Sequence, residues 1–328
     1  MNRISLPVCL LLMVLGGANY ISGRAQSSSG EGTPQGAPVA STALNPLKIA
    51  LLKWFPAYET TNFAVGKSPI GVAFDGANIW ITNQSDNTVT KLRANDGTNL
   101  GTFSTGGGPT GIAFDGANMW IANQFDSTVT KLRASDGANL GTFAVGQAPW
   151  YVAFDGGYMW VTNSTGASIT KLRAADGKAV GTFTDSAGPR GIVFDGTYIW
   201  VSNFNATVTR FKLDGTQSGT FKVGGAPLNM AFDGANIWVV NNGDGTVTKL
   251  RASDGTVLGT FSAGGFPSGV AFDGTNIWTS ADVYVTELRL SDGKLIGRFR
   301  VGGAPIGIAF DGASLWVANF DTYVTHKL

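Results

Sequence analysis

The sequence contains few of the side chains that usually carry out catalysis. It has one histidine, His326, and one cysteine, Cys9. A Ser-His-Asp triad, a histidine metal site and a cysteine nucleophile each depend on one of these residue types. Cys9 lies in an apolar N-terminal stretch, so the rest of the chain has no thiol. The composition therefore favours a protein that is not an enzyme.

Aspartate is the one potentially catalytic residue that recurs. It stands in a Phe-Asp-Gly motif at Asp75, Asp115, Asp155, Asp195, Asp233, Asp273 and Asp311. An aspartate before glycine commonly accepts backbone N–H groups in a turn, and we prefer that interpretation, which requires no cofactor. The alternative is a ring of carboxylates that attracts a divalent cation for a lyase or a lactonase-type hydrolase. Nothing else in the motif resembles a calcium loop.

A different set of residues is suited to binding. The residue after a recurring proline varies, as Ile70, Thr110, Trp150, Arg190, Leu228, Ser268 and Ile306. The next residue is glycine in five units and Tyr151 or Asn229 in the other two. Drift at tolerant positions explains this pattern as well as a ligand clamp of aromatic rings and charge does. The candidate ligand-binding residues are Trp150, Tyr151, Arg190 and Asn229, with the apolar loop residues Phe125, Phe204 and Phe320.

These residues belong to a unit that occurs seven times. Its landmark is Phe-Asp-Gly followed by a tryptophan, at Trp80, Trp120, Trp160, Trp200, Trp238, Trp278 and Trp316. Successive tryptophans are 38 or 40 positions apart, which is the length of a four-stranded propeller blade. Asp-Gly pairs between apolar runs predict tight hairpins. We expect an all-β fold, a seven-bladed β-propeller of four-stranded antiparallel blades with the tryptophans packed between blades.

The fourth strand of the last blade is predicted to come from the other end of the chain. The final unit stops after its third strand, whereas residues 61–66 (TNFAVG) match the fourth strand of the other units. Phe63 precedes Pro69 by six positions, as Phe103 precedes Pro109. We therefore expect the N-terminal strand to complete the last blade and close the ring.

The repeated pattern resembles a known family. Units of the form VGxxPxGxAFDGxxxW, followed by TVTKL and a second Asp-Gly turn, are similar to the YVTN family of β-propeller repeats. They resemble NHL repeats and streptogramin (virginiamycin B) lyases more distantly. The likeness covers residues 61–328, and WITN (80–83) and WVTN (160–163) stand where the family name is written. The resemblance implies the fold and says little about function. The lyases rely on a histidine in the channel region, and this sequence has no counterpart.

The N-terminal residues are predicted to direct export. Residues 1–25 combine Arg3, an apolar stretch and small residues before the cleavage point, as in a signal peptide. Residues 26–46 are rich in Ser, Gly and Pro and are expected to be a disordered linker. Residues 47–55 carry apolar residues on one helical face and predict a short helix. The propeller is assigned to residues 47–328, with repeats beginning near 66, 106, 146, 186, 224, 264 and 302.

Charge argues against one class of partner. Lys and Arg number 23 against 22 Asp and Glu, so no basic field favours nucleic acid. After signal cleavage we expect no membrane span and a monomer. Basic residues recur in pairs on the third strand, and we interpret them as a solvated outer face balanced by the aspartates of the neighbouring turns. The pairs are Lys91 and Arg93, Lys131 and Arg133, Lys171 and Arg173, Arg210 and Lys212, and Lys249 and Arg251. His326 aligns with Lys91 and is interpreted as an exposed substitution on that face.

Two hypotheses for function follow. The loops between the second and third strands vary in length, and they share one predicted face of the disc with the candidate residues. The first hypothesis is a secreted or periplasmic binding or scaffold propeller that holds a small molecule, glycan or protein on that face. The alternative is the cation-dependent lyase or hydrolase, acting in the central channel.

Overall fold

The computed structural model describes residues 61–185, 187–322 and 324–328. The predicted signal peptide, linker and short helix lie outside these residues. The described strands alternate with tight turns, and the element between β3 and β4, Gln84–Asp86, is a 3-10 turn. The structure confirms an all-β propeller of four-stranded antiparallel blades.

The strands group into four-stranded sheets, each called a blade below. Blade 1 contains β2 (Pro69–Phe74), β3 (Asn78–Asn83), β4 (Thr88–Arg93) and β5 (Asn99–Ser104). Blade 2 contains β6 (Pro109–Phe114), β7 (Asn118–Asn123), β8 (Thr128–Arg133) and β9 (Asn139–Ala144). Blade 3 contains β10 (Pro149–Phe154), β11 (Tyr158–Asn163), β12 (Ser168–Arg173) and β13 (Ala179–Thr184). Blade 4 contains β14 (Pro189–Phe194), β15 (Ile199–Asn203), β16 (Thr207–Phe211) and β17 (Gln217–Lys222).

The remaining sheets follow the same plan. Blade 5 contains β18 (Pro227–Phe232), β19 (Asn236–Asn241), β20 (Thr246–Arg251) and β21 (Val257–Ser262). Blade 6 contains β22 (Pro267–Phe272), β23 (Asn276–Ala281), β24 (Tyr284–Arg289) and β25 (Leu295–Arg300). Blade 7 contains β26 (Pro305–Phe310), β27 (Leu315–Asn319), β28 (Val324–Lys327) and β1 (Thr61–Ala64). The first strands of successive blades contact one another in order, and β26 also contacts β2.

The core lies between blades. The tryptophan of each blade is almost completely buried and packs against the next blade; Trp80, for example, clusters with Met119 and Ile121 of blade 2. Each indole N–H donates to the Asp of its own Phe-Asp-Gly motif, at 2.7 Å between Trp80 and Asp75. The same carboxylate accepts two backbone N–H groups of the turn, as from Asn78. The Asp therefore holds both the turn and the ring that fills the gap between blades.

The second Asp-Gly turn requires glycine for two reasons. Gly137 of blade 2 has a φ of +75°, which a residue with a side chain adopts at a cost. A Cβ at this position would also collide with the ring of Phe103 from blade 1. Phe103 in turn lies 5.5 Å from Trp80, between ring centroids. The glycine thus lets the outer phenylalanine of one blade cover the edge of the next.

The prediction of a solvated outer face is confirmed for Arg93, Arg133, Arg173 and Arg251, which are exposed beside the turn aspartates, and is wrong for Lys91 and its equivalents. Lys91 is only 6% exposed, and its ammonium group donates to the carbonyl of Ala134 in the next blade, at 2.6 Å. The ammonium nitrogen also lies over the ring of Trp80, 5.1 Å from its centroid. A lysine can cross apolar surface in this way because only its terminal group needs polar partners. The exposed charges are those of Arg93 and its equivalents, which pair with aspartates in the hairpin turns.

The position of His326 also differs from the prediction. Trp316 pairs with Lys327 across β27 and β28, just as Trp80 pairs with Lys91 in blade 1. Lys327 therefore occupies the Lys91 position, and His326 occupies that of Thr90. Val324 occupies the position of Thr88, not that of Val89, because it pairs with Asn319 as Thr88 pairs with Asn83. A shift of one residue exchanges the two faces of a strand.

The strand from the N-terminal side pairs with the last strand of the sequence. In the antiparallel register of β1 and β28, Phe63 faces Thr325. The ring of Phe63 lies 5.4 Å from that of Trp316, and it also contacts the turn glycine Gly97 of blade 1. Phe63 thus links β1 both to blade 7 and to blade 1.

A Phe63→Ala substitution tests the contribution of this strand. We expect a loss of about 2 kcal/mol in the free energy of unfolding, because Phe63 is half-buried and a fully buried phenylalanine loses about 3–5 kcal/mol. Hydrogen exchange should accelerate at the amides of β28. The matched Phe143→Ala variant, which changes the same position of blade 2, should leave β28 protected. Equal protection of β28 in both variants would contradict the assignment.

Glu287 breaks the series of inter-blade cations. It occupies the Lys91 position in blade 6, pairs with Trp278 and is 7% exposed. Burial and the neighbouring Asp273 raise the pKa of its carboxyl group, against a hydrogen bond from Asn276. A carboxyl group whose pKa is higher in the folded state weakens the fold as the pH rises from the usual glutamate pKa to the raised value.

We therefore expect Glu287→Gln to be more stable than the unchanged protein at pH ~7. The difference should vanish below pH ~4, where glutamate is protonated in the unfolded chain too. Thermal melting across this pH range measures both limits. A difference that persists unchanged into acid would show that packing, rather than ionisation, is responsible.

Candidate functional site

The first strands of neighbouring blades come close together at the second residue after the recurring proline, which is Gly71 in blade 1. A Cβ at Gly71 would collide with the carbonyl of Thr110 in the next blade, and a Cβ at Gly191 would collide with that of Leu228. Tyr151 and Asn229 are therefore the two places where the ring accommodates a side chain instead of a glycine. Blade 3, which carries Tyr151, has a locally different inner surface.

A hydroxyl group on the second strand joins blades across this close approach. In blade 3, Thr162 accepts the N–H of Tyr151 at 3.1 Å and donates to the carbonyl of Arg190 at 2.6 Å. Thr82, Ser202 and Ser280 make the equivalent pair of bonds in blades 1, 4 and 6. The backbone of Arg190 is thus fixed by blade 3, although the residue belongs to blade 4.

Arg190 lies between two aromatic rings. The centre of its guanidinium group is 5.3 Å from the Trp150 ring and 5.5 Å from the Phe204 ring. Its Nε is buried and has no hydrogen-bond partner within the described part of the chain. None of the ion pairs found among the described residues involves Arg190. Desolvation lowers the pKa of the guanidinium group, which keeps its charge because arginine starts so high.

Tyr151 lies close enough to Trp150 and Arg190 to interact with both side chains. Its ring packs against the buried cluster that contains Trp160 and Ile192. Burial raises the pKa of Tyr151 to about 12 and outweighs the opposing effects of Trp150 and Arg190. The phenol therefore stays protonated at neutral pH and can act as a hydrogen-bond donor beside the arginine.

The structure brings together four of the seven residues proposed from the sequence: Trp150, Tyr151, Arg190 and Phe204. The other three lie elsewhere in the ring. Asn229 accepts the N–H of the adjacent Met230 in blade 5, and Phe125 lies against the inter-blade loop at Gly108. Phe320 is anchored in blade 7, where its N–H donates to Ala304. The candidate site is therefore at the junction of blades 3 and 4.

The loops at this junction lack an aspartate that accepts a hydrogen bond from the inter-blade loop in other blades. Asp86 and its equivalents Asp126, Asp244 and Asp282 each accept an N–H from the preceding inter-blade loop. Blade 3 has Gly166 at this place, and blade 4 has the shorter loop that contains Phe204 and Asn205. In addition, Asp185 replaces a residue that is apolar in most blades. Gly166 and Asp185 can be recognised in the sequence as departures from the repeat. Sequence analysis did not single them out, because the aromatic residues and Arg190 are more conspicuous departures.

The recurring aspartates have a structural task. All seven accept the indole N–H of their own blade, at 2.6–2.8 Å. Across the described ranges, no group of three or more His, Cys, Asp or Glu side chains is arranged to hold a metal ion. The carboxylates that suggested a ring of cation ligands therefore each accept a hydrogen bond from a tryptophan. Nor do the described residues include a helix long and apolar enough to cross a membrane.

The class of protein that this architecture defines is the β-propeller. Two solved structures with this fold are similar to the chain. One is a streptogramin B lyase, with 18% sequence identity, a TM-score of 0.70 and coverage of 82% of this chain and 96% of the other. The second is hydrazine synthase of Kuenenia stuttgartiensis, with 20% identity, a TM-score of 0.69 and coverage of 80% and 96%. At these identities the likeness concerns the fold alone.

No family model matches the sequence, and no curated protein matches it. The assignment to the YVTN family stays a prediction from the repeated motif.

Removal of the Thr162 hydroxyl should affect this site specifically. We expect Thr162→Ala to lower the free energy of unfolding by about 2 kcal/mol, because the buried N–H of Tyr151 and the carbonyl of Arg190 each lose a partner. Ser280→Ala removes the equivalent bridge in blade 6 and is the matched control. Hydrogen exchange at Tyr151 should rise only in the first variant. The same exchange pattern in both would contradict a local role.

Proposed function

We propose that this protein is an exported binding propeller that holds an acidic ligand with a flat apolar part at the junction of blades 3 and 4. The observation that carries the proposal is the guanidinium group of Arg190, which lies between Trp150 and Phe204 with its Nε buried and unpartnered. Export is supported by the signal-like pattern of residues 1–25.

The charge of the ligand follows from Arg190. A partly buried cation without a carboxylate partner is poorly solvated, and an anion restores both charge balance and hydrogen bonds. The planar donor array of arginine suits a carboxylate or phosphate group. None of the ion pairs among the described residues supplies a carboxylate to Arg190. The ligand is thus expected to bring the negative charge.

The shape of the ligand follows from the rings. Phe204 is 61% exposed, and Trp150 is only half-buried, so both rings have apolar surface free for stacking. Aromatic side chains give a large contact area at a low cost in conformational entropy. A ring on the ligand would therefore pack against Phe204 or Trp150 while its acidic group meets Arg190. A purely ionic ligand would leave this surface unused.

The cation-dependent alternative has less support. The seven carboxylates on which it rested hold the tryptophans. A divalent ion would have to displace a 2.7 Å bond from an indole whose ring is fully buried, such as that of Trp120. Metal analysis and melting with and without a chelator test this alternative directly.

The proposal is tested with benzoate and phenyl phosphate as probes, and with benzamide and benzylamine as neutral and cationic controls. We expect saturable binding of the acidic probes, measured by calorimetry, and a loss of about tenfold or more in affinity for Arg190→Ala, since a charge-assisted hydrogen bond is removed. Arg93→Ala, which removes an exposed arginine from an ion pair, is the matched control.

Phe204→Ser separates the two parts of the site. We expect it to weaken binding of phenyl phosphate more than binding of inorganic phosphate, because only the former can stack. Binding of all four ring probes with equal affinity, or unchanged binding to Arg190→Ala, would overturn the proposal.

A further inference from the structure

A second feature of the same junction is a polar cavity on its outer side. The cavity has a volume of about 380 Å³ and lies between the end of β13 and strands β16 and β17. Its lining includes Asp185, Asn205, Thr207, Thr209, Gln217 and Thr220. The volume is at the lower end of the range found for small-molecule sites. Asn205, Gln217 and Thr220 are exposed, so the cavity is open to solvent.

Asp185 is out of place in the repeat. The equivalent residues are Val65, Thr105, Val145, Val223, Ala263 and Val301. Asp185 is 6% exposed, yet no lysine or arginine pairs with it among the ion pairs of the described residues. Burial raises the pKa of its carboxyl group. A buried carboxylate in place of a valine costs stability, so its presence calls for a compensating partner.

The carboxylate is only partly satisfied by the protein. Its Oδ1 accepts the N–H of Ala187 at a long 3.3 Å. The amide orientation of Asn203 that satisfies both of its polar atoms places Nδ2 3.1 Å from the Asp185 Oδ2. In this orientation the side-chain oxygen of Asn203 accepts hydrogen bonds from the hydroxyl groups of Thr207 and Thr209. An ionised carboxylate can accept about four hydrogen bonds, so roughly two positions stay open.

The lining selects the class of ligand. No basic side chain lines the cavity, and its one charge is negative, so an anion is disfavoured. The hydroxyl and amide groups of the wall both donate and accept, which matches a ligand whose own groups do the same. Calcium sites generally use several carboxylates and closely spaced oxygens, whereas this cavity has one carboxylate and far more space than a single ion needs.

We propose that this cavity binds a neutral polyhydroxylated ligand of the size of one monosaccharide, with two of its hydroxyl groups donating to Asp185. Thr209 and Thr220 face the ligand from the third and fourth strands of blade 4, and Gln217 contributes from the open edge. The cavity is built by different residues from those around Arg190, so this site stands independently of the acidic-ligand site.

The central variant is Asp185→Val, which restores the common residue of the repeat. It removes the acceptor, and the fold should become more stable because a buried charge is replaced by an apolar side chain. Loss of binding in a protein that melts at a higher temperature is not explained by misfolding. Gln217→Ala is the second variant, and Asn99→Ala at the same register position of blade 1 is its matched control.

The probes are glucose, galactose, mannose and myo-inositol, titrated into the full chain by calorimetry. We expect saturable binding of at least one of them, a loss of about tenfold or more in Asp185→Val, and a smaller loss in Gln217→Ala. Asn99→Ala should bind as the unchanged protein does. Calcium chloride and ammonium chloride, each tested without sugar, are the ionic controls.

Three outcomes would overturn the proposal. Saturable binding of no neutral probe is the first. Equal affinity of the unchanged protein and Asp185→Val is the second. The third is Asp185-dependent stabilisation by calcium or ammonium ions in the absence of sugar, which would assign the cavity to a cation instead.

Discussion

The interaction on which the structure depends is the hydrogen bond from a buried indole to an aspartate. Each blade must present a large apolar ring to its neighbour, and an indole carries an N–H group that cannot be left unpaired in the core. The Asp of the Phe-Asp-Gly turn accepts this N–H and, with its other oxygen, the backbone of the turn, as Asp115 does for Trp120 and Asn118. One side chain therefore sets the hairpin, orients the ring and fixes the spacing between blades.

That constraint also explains why departures from the repeat are informative. Lys91 and its equivalents reach across the ring of one blade to carbonyls of the next, so even the charged positions serve packing. A residue that serves the repeat has little freedom to serve a ligand. Arg190, Tyr151 and Asp185 do none of the repeated tasks, and all three lie where blades 3 and 4 meet. Asn229 and Glu287 are exceptions in blades 5 and 6, but the grouping of three exceptions at one junction supports the proposed site there.

Much of the fold could be predicted from the sequence, because the repeat reports its own strands and turns. The position of Arg190 beside Trp150 could also be predicted, since both follow a proline at the start of neighbouring inner strands. The burial of Lys91 could not, because it depends on carbonyls 43 residues away in the next blade. Nor could the role of Asp185, whose significance depends on Asn203 and on a cavity wall from another blade. The position of His326 was predicted one residue out of register, because Val324 resembles Val89 in the sequence but occupies the position of Thr88.

We propose that this propeller binds its ligand at the junction of blades 3 and 4, on the face of the variable loops, rather than in the channel or on the turn face. The most direct measurement is a nuclear magnetic resonance titration that follows the Nε–H signals of arginine while phenyl phosphate is added. We predict that the Arg190 signal shifts and saturates, while those of Arg93 and Arg133 in the hairpin turns stay unchanged. Shifts confined to the turn-face arginines, with Arg190 unaffected at saturation, would contradict it.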